Sequence, residues 1–120
     1  HITSNEILTW NQIYEDVAEA AGAKANIVHI PSDFICKIAE KEGQAWMWGN
    51  LLGDKAVSVI CDNTKIKRFV PDFVATIPFK EGIKRTVKWF EADPSRMKIV
   101  PENNDLMDKI IDAYERKFDE

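Results

Sequence analysis

Cysteine is scarce. Cys36 and Cys61 stand alone, with no Cys-x-x-Cys pair and no histidine at metal-ligand spacing. That argues against a disulfide framework and against a Cys/His metal site. It predicts two reduced, partly buried thiols in a cytoplasmic protein. Long hydrophobic runs are missing too. None approaches the roughly 20 residues a helix needs to cross a bilayer, and nothing at the start reads as a signal peptide. No membrane partner is expected. Positive charge is not in excess: the net charge of -4 argues against a module that works by neutralising phosphates. Repeats, low-complexity stretches and linkers are absent.

What is present suits one small domain over residues 1–120. Apolar residues make up 45% and charged residues 30%, the balance of a soluble chain with a core. His1-Ile2-Thr3 reads as extended with nothing before it. The sequence is therefore expected to be cut from a longer chain, or His1 to be a tag remnant. Thr9-Trp10-Asn11-Gln12 fits a capping box. The helix it opens runs to Ala21, with Trp10, Ile13, Tyr14 and Val17 on one face, and Gly22 stops it. Residues 27–30 read as a strand. Pro31 ends it, and Ser32 or Asp33 can cap a helix that runs to Glu42, buries Phe34, Ile35 and Ile38, and stops at Gly43. Residues 44–55 are irregular, with room for a helical turn. Residues 56–61 are rich in β-branched side chains and read as a strand. A turn at Asp93-Pro94-Ser95 precedes a last helix from Pro101, with Met107, Ile110, Ile111, Tyr114 and Phe118 in an apolar stripe.

The stretch from Asp62 to Glu91 organises the rest. Asp62 or Asn63 can cap a short helix containing Ile66 and Phe69. Val70, placed before Pro71, is pushed out of helical conformation. A second helix starts near Pro78, with Phe79, Ile83, Val87 and Phe90 on one face. Trp89 is expected to be buried at its aromatic end. Gly82 lies inside it, where glycine costs about 1 kcal/mol relative to alanine, and close helix–sheet packing would account for it.

Asp62, Thr64, Lys65, Arg68, Pro71, Glu81, Gly82, Ile83, Thr86, Val87, Trp89 and Phe90, in that order, resemble the C-terminal end of extended and atypical short-chain dehydrogenase/reductases, the NAD-dependent epimerase/dehydratase family. The likeness spans nearly all of the chain. Residues 2–14 resemble the return from the nucleotide-binding sheet into the next helix. Val28-His29-Ile30-Pro31 looks like the following strand, and Leu52-Gly53-Asp54 like the segment before the final one. The resemblance implies a mixed, helix-rich α/β fold: the C-terminal, substrate-side portion of a Rossmann-type enzyme, with few short strands. It implies NAD or NADP in the parent chain and none bound here. Such enzymes hold the cofactor at a glycine-rich turn and react through a Tyr-x-x-x-Lys pair. No such turn occurs in this sequence, and Tyr14 and Tyr114 are followed four places on by Ala18 and Phe118. No catalytic residue is therefore assigned. Leu51 and Leu52 stand where sugar-nucleotide members often place an arginine for the diphosphate, which favours a less charged substrate.

Trp46-Met47-Trp48 is the most unusual local composition. These aromatics, with Asp54 nearby, are candidates for a substrate cleft or for docking on a missing N-terminal Rossmann domain. Core or lid packing is the alternative. Lys65, Lys67 and Arg68 could meet phosphate but also read as a solvated helix face. His29 and Asp62 read as structural. The expected function is the substrate-binding portion of an NAD(P)-dependent epimerase/dehydratase-like oxidoreductase, inactive alone, acting on a small hydroxyl-bearing molecule, of which a sugar derivative is one candidate, and prone to self-association. The alternative is a stand-alone protein-interaction or RNA-associated domain without catalysis.

Overall fold

In the computed structural model, which describes residues 1–117, five α-helices carry the chain: α1 (Trp10–Ala20), α2 (Ser32–Lys41), α3 (Thr64–Phe69), α4 (Phe79–Glu91) and α5 (Pro101–Glu115). A π-helical segment spans Gly49–Asp54, and a 3-10 turn spans Pro94–Arg96. No strand occurs among the described residues. The expected mixed α/β architecture with few short strands is therefore replaced by a helical one. Residues 1–3, 27–30 and 56–61, read as strands, run without helix or ladder. The reason is physical. β-branched composition reports fit to a pleated, half-buried surface, and it does not fix the backbone without partners. A lone extended segment leaves its N–H and C=O groups to water.

The chain divides into two compact units. His1–Ile27 and Val59–Lys98 form one; Val28–Ser58 and the chain from Ile99 onward form the other. In the first unit α1 packs on α4. The Thr9 capping box forms as the sequence predicts: Thr9 Oγ1 accepts from the Gln12 N–H and Gln12 Oε1 accepts from the Thr9 N–H at 2.8 Å. Gly22 takes a φ of 67° just past the helix, where a side chain would be strained. Lys80 on α4 joins Glu19 at 2.7 Å and Asp16 at 3.7 Å on α1. This pairing raises the Lys80 pKa and lowers that of Glu19.

In the second unit α2 packs on α5. Cys36, Ala39 and Ile110 are buried, and Phe34 meets Tyr114 edge-on at 5.3 Å. Phe34, Ile35 and Ile38 are only partly covered. Burial pushes the Cys36 thiol pKa up, so it stays protonated; Cys61 is exposed. Ser32 turns out to be the first helical residue, and the cap position falls to Pro31, which has no side-chain acceptor. In the α5 stripe Ile110 is buried and Met107 exposed; Phe118 lies outside the described residues.

Candidate functional site

Two grooves lie within single units. The first, of about 570 Å³, belongs to the first unit. It is lined by the N-terminal segment from Thr3 to Leu8, Ile13 of α1, the segment from Val59 to Asn63 and the first residues of α3 and α4. Asn63 holds these pieces together. Its amide oxygen accepts from the Thr3 N–H at 3.1 Å, and its amide nitrogen donates to the Thr3 carbonyl at 2.5 Å. At 7% exposure it is the one buried polar side chain among the described residues. An extended backbone has the N–H and C=O of one residue to offer, and the carboxamide satisfies both. Sequence reasoning read Asn63 as a possible helix cap, but no side-chain cap bond forms there. Asp62 takes the capping role instead: its Oδ1 accepts from the Thr64 hydroxyl at 2.6 Å and the Thr64 N–H at 2.9 Å. Those two bonds hold the Asp62 carboxyl below its ordinary pKa, hydroxyl first.

Glu6 was also missed as a positioning residue. Its carboxylate accepts from the Phe79 N–H at 2.7 Å, closing the first turn of α4. The signal was present in the sequence. Pro78 stands at the cap and offers no side-chain acceptor, so the orphan donors of α4 needed one from elsewhere. Lys67 completes the rim, donating to Asn5 Oδ1 at 3.3 Å. Lys65 and Arg68 stay exposed. The groove thus sets a hydroxyl (Ser4), an amide (Asn5), a carboxylate (Asp62) and an ammonium (Lys67) against the apolar Val59 and Phe79. Such a surface can hydrogen-bond a small polyhydroxyl molecule and cover one of its faces.

The second groove, of about 500 Å³, belongs to the second unit and contains Trp46 and Met47. The three residues singled out by sequence are not brought together there. Trp46 lines the groove and donates its ring N–H to Gln44 Oε1 at 2.6 Å. Trp48 turns to Glu40, donating at 3.2 Å. Asp54 lines neither groove and pairs with neighbouring Lys55 at 3.1 Å. Trp89 is 54% exposed, contrary to its expected burial. Arg96 stacks over its ring at 4.0 Å and donates to its carbonyl at 2.6 Å. Among the described residues no three His, Cys, Asp or Glu side chains gather as metal ligands, and no helix is long and apolar enough to cross a membrane. None of α1–α5 begins at a glycine-rich turn of the kind that cradles a dinucleotide pyrophosphate. No family model, curated protein or solved structure matches this chain.

Proposed function

We propose that this chain is the substrate-side portion of an NAD(P)-dependent epimerase/dehydratase-like oxidoreductase, and that the groove around Asn63 receives a small hydroxyl-bearing molecule. The observation that carries the reading is the Asn63–Thr3 clamp. It joins two segments distant in sequence, 2–14 and 62–91, which are the two longest parts of the family resemblance. Their junction lies in a groove lined by hydroxyl, amide and carboxylate groups together with apolar side chains. Polyols are recognised by such pairing of polar groups with one covered face. In this reading the nicotinamide cofactor and the hydride chemistry are assigned to a further portion of the parent, in keeping with a sequence that has no glycine-rich turn of the dinucleotide type.

The reading of the parent is tested upstream in the same reading frame. A glycine-rich βαβ start followed by Tyr-x-x-x-Lys is expected, and a frame lacking both overturns it. The groove is tested by amide chemical shifts of the labelled chain titrated with a simple hexose and, separately, with NAD and NADPH. Saturable shifts confined to residues 3–8 and 59–64 are expected with the hexose and none with either cofactor. Tight cofactor binding, or hexose shifts elsewhere, would sink the assignment.

A further inference from the structure

The groove at Trp46 has a different character and does not depend on the oxidoreductase reading. It lies between the turn that follows α2 and the first turns of α5. Its apolar lining includes Trp46, Met47, Leu106 and Met107. Trp46 is 60% exposed and Met107 61% exposed. Two large apolar side chains in one concave groove present an anchor surface, and methionine adapts its shape to what it meets. The Trp46 ring N–H is already satisfied by Gln44, so the faces of the ring are what it offers to a ligand. The faces of an indole attract apolar groups and cations.

The charge around the groove selects between ligands. Its lining includes Glu42, Glu102 and Asp105. The lysine of the lining, Lys109, is held by Glu42 at 2.5 Å, an ion pair that raises the Lys109 pKa. Glu102 and Asp105 therefore set the local field. Among the groove's lining residues three carboxylates (Glu42, Glu102 and Asp105) stand against that one lysine. Anionic ligands are repelled from such a surface, and cationic ones are drawn to it.

We propose that this groove docks a cationic amphipathic peptide segment of another protein, with an apolar side chain seated on Trp46 and Met107 and an arginine or lysine set against Glu102 and Asp105. Helix-in-groove recognition uses such anchors at i, i+3 and i+4 spacing. The probes are a short helical peptide of leucine and arginine and its charge-reversed counterpart of leucine and glutamate. Calorimetric titration of the whole chain is expected to show saturable binding of the arginine peptide, weakened by added salt, and none of the glutamate peptide. Trp46→Ala and Asp105→Lys should each weaken binding at least about tenfold, as loss of an anchor does at other interfaces. Both side chains are exposed, so folding is retained, and far-UV circular dichroism checks it. Equal binding of the two peptides overturns the proposal. So does unchanged affinity in both variants, or a dilution series in which the groove's amide shifts report a second copy of this chain instead.

Discussion

Asn63 shows how a single side chain can stand in for a piece of secondary structure. Thr3 lies in a segment with strand composition and no ladder partner, and the carboxamide supplies one donor and one acceptor, as a neighbouring strand would. The sequence could not reveal this. An asparagine before Thr64-Lys65 has an ordinary local role as a cap, and its true partner is sixty positions away. Removing it leaves both Thr3 backbone groups without their partner in a partly buried place. Asn63→Ala is expected to destabilise the first unit by about 1–3 kcal/mol, the usual cost of orphaning buried polar groups. Urea denaturation followed by circular dichroism gives the value. Asn63→Asp should not rescue it, since the carboxylate keeps an acceptor for the Thr3 N–H but sets a second acceptor against the Thr3 carbonyl. Midpoints equal to that of the parent protein in both variants would show that the clamp contributes nothing.

Among the elements, the helices were legible and the strands were not. α1 and α2 carry their own start and stop signals, with Gly22 and Gly43 closing them at positive φ, and these signals act over three or four residues. Strand formation depends on a partner, so residues 27–30 and 56–61 could be read only as having the composition for it. The same asymmetry governs α4. Its boundaries follow from Pro78 and the 3.6-residue pattern, but which side it presents depends on what covers it. Phe79, Ile83 and Val87 are partly covered, while Trp89 and Phe90 at its end are exposed. Gly82 belongs to this question. A Cβ placed there would meet only the Ile77 side chain, at an ordinary 3.8 Å, and the expected close packing on a sheet is not found. Gly82→Ala is therefore expected to stabilise the chain by about 1 kcal/mol through helix propensity, read as a higher urea midpoint. A lower midpoint would mean that the glycine serves packing inside this chain. A gain in stability would mean that the glycine has no packing use inside this chain.

For the molecule as a whole the decisive quantity is surface. Large apolar side chains lie exposed on recognisable features. Trp10 is 63% exposed, Ile7 and Tyr14 are exposed beside it along the chain, and Val57, Val59 and Ile60 stand uncovered outside any helix. Unpaired extended segments and apolar helix faces both favour association. The chain is thus expected to self-associate, with the Trp10 and Tyr14 side of α1 as the main contact. Light scattering over a dilution series should show the apparent mass rising with concentration. Trp10→Lys should restore a monomer, because it places a charge in that contact while removing a side chain that its own unit hardly buries. Association that persists unchanged in Trp10→Lys would move the contact to the segment at Val57–Ile60. A monomer at every concentration would mean that this chain tolerates its exposed apolar surface alone, and the stand-alone interaction domain would then be the better account of it.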